Sequence, residues 1–204
     1  MTKSKPWLPY VAPFAIYFAL LSVRSLQTLI WMYPVATIGV AAALWVFRKD
    51  YDELRVNVSV LAVVVGLAAI AIWIGIDPYY PKPVGTAVFN PSGKWVFIGF
   101  RIVGTVIVVP LMEELFWRAF LIRWLMNEDF KRVPVGKFSW SSFAITTALF
   151  GAEHREWLAG LICGAMYNWL LYKRKDVFSC VVAHAVSNAA LAAWVLARGD
   201  WKFW

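Results

Sequence analysis

The chain has 204 residues, 61% of them hydrophobic and only 16% charged, with a formal net charge of +8. Several apolar runs reach the roughly 20 residues that cross a bilayer core, which excludes a soluble globular domain and implies a single polytopic membrane domain over residues 1–204. The basic residues fall between the apolar runs instead of forming one patch, so membrane topology explains them better than nucleic-acid binding does.

The pattern predicts an all-α transmembrane helical bundle of about seven spans, with six to eight compatible with the runs. The first covers about 7–23, with Pro9 and Pro13 near its start; no small-residue cleavage site follows Lys3 and Lys5, so a cleavable signal peptide is not expected. The second, about 26–47, stops at the charged stretch 48–55, and the third covers about 56–76. Asp77-Pro-Tyr-Tyr-Pro-Lys-Pro83 then breaks any helix, because proline lacks the N–H and clashes with the preceding turn. The fourth runs over about 95–126, followed by a polar loop at 127–137, a short fifth span at 138–152 and a sixth at 157–172 ending in Lys173-Arg-Lys175. The seventh covers about 177–196. With the N-terminus inside, twelve Lys and Arg lie on the cytoplasmic side against six on the far side, Arg101 and Arg118 being inside spans. That bias predicts a cytoplasmic N-terminus. Cys163 and Cys180 sit in apolar segments without metal-ligand spacing and read as small packing residues.

Three polar groups interrupt the apolar runs of the second half, about 95–196. Glu113, Glu114 and Arg118 lie within the fourth span. At about 100° per residue Arg118 is about 40° from Glu114 and about 140° from Glu113. Glu114 is therefore the i,i+4 partner of Arg118, and Glu113 points elsewhere. His154 closes the fifth span, and His184 and Asn188, also i,i+4, share one face of the seventh; these are the only two histidines in the chain. Ionisable groups in such surroundings pair, face a polar cavity or do chemistry. A carboxylate can take a proton from water, imidazoles can orient that water or bind a metal, and Arg or Asn can stabilise an oxyanion.

Each group also has a structural reading. Glu114–Arg118 reads equally as an intrahelical pair, a lone intramembrane His as a packing residue, and Asn188 as an interhelical hydrogen-bonding residue. Glu153, Arg155 and Glu156 read as a solvated rim at a span end, and Arg101 as a side chain snorkelling to the interface. Glu113 and His184 come out at similar depths, roughly 15 Å from Arg123 and roughly 10–12 Å from Lys175 along their helices. His154 comes out roughly 24 Å from Lys137, so the loop before the fifth span is expected to dip inward. Soluble-protease signatures do not fit. There is no His-Glu-x-x-His, and Phe150-Gly-Ala-Glu-His154 has Phe where the inverted zinc motif needs His. Ser187 beside His184 makes no supported triad.

Glu113-Glu114-x-x-x-Arg118, then Phe150-x-x-x-His154, then His184-x-x-x-Asn188 resembles, in order and approximate spacing, the three-part signature of the CAAX-protease and bacteriocin-processing (Abi) family of intramembrane endopeptidases. Within it the chain is similar to a bacterial subgroup described as CAAX-protease-related and linked to exosortase-type protein sorting. The resemblance implies Glu113 as the general base that activates water and His154 as a holder of that water. It gives Glu114 as the anchor of Arg118, and His184 with Asn188 as the opposite wall, with Asn188 and Arg118 at the oxyanion. It leaves open whether the cofactor is none or Zn²⁺, the metal set in the second case being Glu113, His154 and His184. It implies a protein or peptide substrate cleaved near the membrane or at its C-terminus, the lipid bilayer as the other partner, and a bacterial inner membrane location. Two further readings of the same residues are a non-catalytic scaffold or immunity-type protein and a proton-coupled transporter. The second lacks the internal repeats usual in transporters.

Overall fold

The computed structural model describes residues 5–22, 25, 28–83 and 88–204. Among them every regular element is helical. Seven long helices follow in order: α1 Leu8–Ser22, α2 Leu29–Val46, α3 Val60–Ile76, α4 Trp95–Trp124, α5 Trp140–Ala152, α6 Trp157–Arg174 and α7 Val177–Arg198. The expected end of the first span, at residue 23, and the expected start of the second, at residues 26 and 27, lie outside the described residues.

Among the described residues four helical stretches are long and apolar enough to cross a membrane: Leu29–Val46, Val60–Tyr79, Trp95–Trp124 and Val177–Arg198. The expectation of about seven spans thus meets seven helices of unequal reach. α1 has 15 residues and α5 has 13, short of the roughly 20 that a perpendicular crossing needs. α6 reaches 18 residues but ends in Lys173 and Arg174.

The helix ends follow local chemistry. Ser59 accepts from the Ala62 N–H and starts α3; Asp176 accepts from Phe178 and Ser179 and starts α7, in each case satisfying N–H groups that the first turn leaves unpaired. Lys175, with φ 54°, and Gly199, with φ 67°, end α6 and α7 in the left-handed region. α4 is not uniform: its turns widen to π-helix at Gly104–Val108 and again at Leu115–Leu121, on either side of the α-helical segment Val109–Glu114 that carries both glutamates. Such widenings are rare and cluster at functional sites.

The most extensive packing is of α3 on α7, α5 on α6 and α1 on α2. Lipid tails are as apolar as leucine, so close backbone approach through small residues holds such bundles. A Cβ on Gly66 of α3 would strike the Ala183 carbonyl of α7, and one on Gly151 of α5 would strike Leu161 of α6. At the end where α1 begins and α4 stops, Tyr10 donates to the Glu53 carboxylate at 2.7 Å, and Glu53 also pairs with Arg123. Arg123 donates as well to the Val133 carbonyl, and Phe130 and Val133 are buried. The loop before α5 is therefore packed against this end of the bundle.

Candidate active site

Glu113 and Glu114 sit on adjacent residues of α4 and face different surroundings. Glu114 is fully buried, and its Oε1 accepts from Arg118 Nη1 at 3.1 Å and from His184 Nδ1 at 2.9 Å. Arg118 is as deeply enclosed. Its Nε donates to Asn168 Oδ1 at 3.2 Å and its Nη2 to the Gly164 carbonyl at 3.3 Å. Its guanidinium lies 4.6 Å from the centre of the Phe150 ring, a cation–π distance. Asn168 passes the network on, donating to Thr146 and Thr147 of α5. One hydrogen-bond network thus links α4, α5, α6 and α7. Arg118 does not line the cavity described below, so the placement does not serve the oxyanion role that the resemblance gives it; the guanidinium positions Glu114 instead.

Because a carboxylate only accepts, the contact with Glu114 puts a ring proton of His184 on Nδ1, and in the neutral ring the lone pair is then on Nε2. That Nε2 lies 4.0 Å from Glu113 Oε2. The same reasoning applies to His154, whose Nδ1 is 2.6 Å from the Phe150 carbonyl: Nδ1 carries the proton, Nε2 the lone pair. Phe150 stands between the two imidazoles, its ring centre 4.8 Å from that of His154 and 6.1 Å from that of His184. It keeps them apart and oriented. Tyr167 stacks on His184 at 5.4 Å, and its hydroxyl bonds Ser187. Ser187 donates to the His184 carbonyl, so it belongs to helix packing and forms no triad.

A cavity of about 230 Å³ opens among these groups, lined by Glu113, His154, His184, Asn188, Arg101 and Tyr17 with other residues. A neighbouring one of about 260 Å³ shares Glu113, His154, Arg101 and Tyr17 and adds Glu153. The geometry therefore brings Glu113, His154, His184 and Asn188 to one space and sends Glu114 and Arg118 behind it.

Asn188 has a structural partner too. In the first widened turn of α4 the Val109 N–H bonds the Gly104 carbonyl, five residues back. In that register the Thr105 carbonyl falls to residue 110, a proline without an N–H. Asn188 fills the gap, its Nδ2 donating to the Thr105 carbonyl at 2.7 Å. This leaves the second amide hydrogen for the cavity.

Two residues have different surroundings from those their positions suggested. Glu153 is not a solvated rim: its side chain is only 10% exposed and neither carboxylate oxygen has a hydrogen-bond partner among the described residues. Arg101 lines both cavities, its guanidinium 4.5 Å from the centre of the Tyr33 ring. It has no carboxylate within ion-pair distance among the described residues. Asn168 was missed as well, although a lone Asn inside the apolar run 157–172 is visible in the sequence.

An all-helical bundle with membrane-crossing helices and a carboxylate–imidazole cavity between them defines a polytopic integral membrane protein with an enclosed polar site. Residues 95–190 match the family described as type II CAAX prenyl endopeptidase Rce1-like, consistent with the CAAX-protease and Abi resemblance of the three motifs. The matched stretch runs from the start of α4 into α7 and contains Glu113, Glu114, Arg118, His154, His184 and Asn188. No curated protein and no solved structure matches the chain.

Proposed function

We propose that this protein is an intramembrane endopeptidase in which Glu113 takes a proton from water and the resulting hydroxide attacks a peptide carbonyl. The observation that carries the reading is the Glu113 carboxylate itself. Its Oε2 is buried without a hydrogen-bond partner, beside a cavity that both imidazoles and Asn188 line. A water bonded to Glu113 at about 2.8 Å can reach the His184 Nε2 lone pair, 4.0 Å from Oε2, with its second hydrogen. In this tautomer His184 accepts and does not donate, so it holds water and does not stabilise an oxyanion. Donors toward the developing oxyanion come from the second amide hydrogen of Asn188 and from Arg101. Glu113 then returns its proton to the leaving amine, which closes the cycle. Glu114 and Arg118 act through His184, fixing its tautomer and ring.

The substrate class we infer is a membrane-associated or C-terminal segment of a protein, and the setting a bacterial inner membrane with the N-terminus cytoplasmic. Neither prenylation of the substrate nor the exosortase link is needed for the chemistry. The test compares membranes containing the native protein with membranes containing Glu113→Gln, at equal amounts of folded protein, by mass spectrometry of new peptide termini. Termini that depend on Glu113 support the reading. If the two membranes yield the same termini while both proteins remain folded, the non-catalytic scaffold reading takes its place.

A further inference from the structure

Glu153 lies outside the three motifs, and its environment calls for a partner. Glu113, Glu153 and His154 each place one ligand atom within 4.8 Å of the other two. The carboxylates come from different elements: Glu113 from the middle of α4, Glu153 from the turn that ends α5. Their side chains are 7% and 10% exposed. Oε2 of Glu113 and both oxygens of Glu153 are buried without hydrogen-bond partners among the described residues. The nearby cations are otherwise engaged or out of range: Arg118 pairs with Glu114, and Arg101 is within ion-pair distance of neither carboxylate. Buried carboxylates are normally paired, coordinated to a metal or neutralised.

We propose that Glu113, Glu153 and His154 form a binding site for a divalent transition-metal cation, Zn²⁺ or an ion of similar size. Three atoms no more than 4.8 Å apart share a centre no further than about 2.8 Å from each. Zinc bonds to oxygen and nitrogen measure about 2.0–2.2 Å, so each side chain closes by roughly 0.6–0.8 Å. Two carboxylates and one neutral imidazole carry two negative charges, which a divalent ion neutralises in an apolar interior. The Nδ1–H of His154 on the Phe150 carbonyl leaves the lone pair on Nε2, the outer-shell arrangement that metal-binding histidines use, while the His154 nitrogen that lies 3.8 Å from Glu153 Oε1 is Nδ1. Three protein ligands leave coordination positions open, and a cation there lowers the pKa of a bound water. The donor set differs from the motif-based one, in which His184 stands in place of Glu153. His184 reaches Glu113 but does not close to 4.8 Å with both other groups.

The inference rests on the peptidase reading only for what the cation would do; its binding is tested separately. Full-length protein carrying a histidine-free affinity tag is purified in detergent, stripped with a chelator and titrated with Co²⁺, following the visible d–d absorption and the bound metal per chain. The expected result is one Co²⁺ per chain, displaced by Zn²⁺. Glu153→Gln and His154→Ala should weaken binding at least tenfold, and His184→Ala should leave it within about threefold. No stoichiometric binding by protein that remains folded by thermal unfolding overturns the site, and the two carboxyl groups then share a proton instead. Binding lost in His184→Ala but kept in Glu153→Gln also overturns it, in favour of the motif set. If Glu113-dependent cleavage survives complete stripping, the cation has no part in the reaction and the peptidase reading stands. If Co²⁺ binds as expected but no cleavage is found, that reading falls and the site stands.

Discussion

Replacing Arg118 by methionine tests the network behind the cavity. Methionine keeps much of the volume and removes every donor. Arg118 is 1% exposed and donates to three acceptors, Glu114 Oε1 on its own helix and Asn168 Oδ1 and the Gly164 carbonyl on α6. Deleting one partner of a buried ion pair costs about 3–5 kcal/mol, because the remaining charge stays buried without compensation. For a chain of this length each kcal/mol moves the unfolding midpoint by about 2–4 °C, so Arg118→Met should lower Tm by roughly 6–20 °C. Most of that cost belongs to the stranded Glu114 carboxylate. Glu114→Gln in the same chain removes the charge and still accepts from His184, so the double variant should recover about 1–3 kcal/mol relative to additivity. Arg118→Lys retains the charge but offers it from one point, losing the Asn168 and Gly164 bonds, and should fall between native and Arg118→Met. The assay is intrinsic tryptophan fluorescence on heating in detergent. An Arg118→Met protein melting within about 2 °C of native, or a double variant whose losses simply add, would refute the network as drawn.

Other consequences are equally direct. Asn188→Leu strands the Thr105 carbonyl and should cost about 1–3 kcal/mol; Pro110→Ala supplies the missing N–H, so the Asn188→Leu/Pro110→Ala protein should regain stability that Asn188→Leu alone has lost, while cleavage stays impaired. Gly66→Ala drives a Cβ into the Ala183 carbonyl and should destabilise by about 1–3 kcal/mol, read as a lower midpoint; an unchanged midpoint would mean that α3 and α7 pack less tightly than described. The hydrogen bond to Asp77 holds the Lys202 ammonium above the ordinary lysine range. A raised folded-state value means that its stabilisation is complete below the ordinary lysine pKa and is lost as pH rises through the raised one. Alkaline titration should therefore release the turn Trp201–Phe203, and with it Phe203 from the cavity wall, seen as a tryptophan emission change that Lys202→Met abolishes.

Much of the helical framework is legible in hydrophobicity alone, because each apolar run must bury its backbone polar groups within itself. The departures have local causes. α3 begins at Val60, four residues after the apolar run does, because Ser59 caps it. α6 continues past Tyr172 to Arg174, where basic side chains suit the negative end of the helix dipole. The Glu114–Arg118 pair was legible from 100° spacing and persists even where α4 widens. Glu153 was not. Its neighbours in sequence read as a surface turn, and only the close α5–α6 crossing at Gly151 and Gly160 folds that turn back against Glu113. Arg101 was misread for a similar reason, since a span-end arginine normally snorkels and here the ring of Tyr33 on α2 meets it inside.

The division of labour between the adjacent glutamates follows from register and from one proline. Within Val109–Glu114 neighbouring side chains diverge by about 100°, so when Glu114 turns to Arg118 and His184, Glu113 must turn to the cavity. Exchanging the roles would require rotating α4 about its axis. The widened turns above and below hold that rotation: Pro110 forces a gap in the backbone bonding, and Asn188 of α7 closes it. α7 thereby contacts α4 twice, through Asn188 to Thr105 and through His184 to Glu114, about one turn apart on α7 and more than two turns apart on α4. Two such contacts fix both the rotation and the height of α4 against α7, whereas one would leave it able to pivot. The same two contacts orient the side chains that face the cavity, so loosening either should disturb Glu113 without touching it.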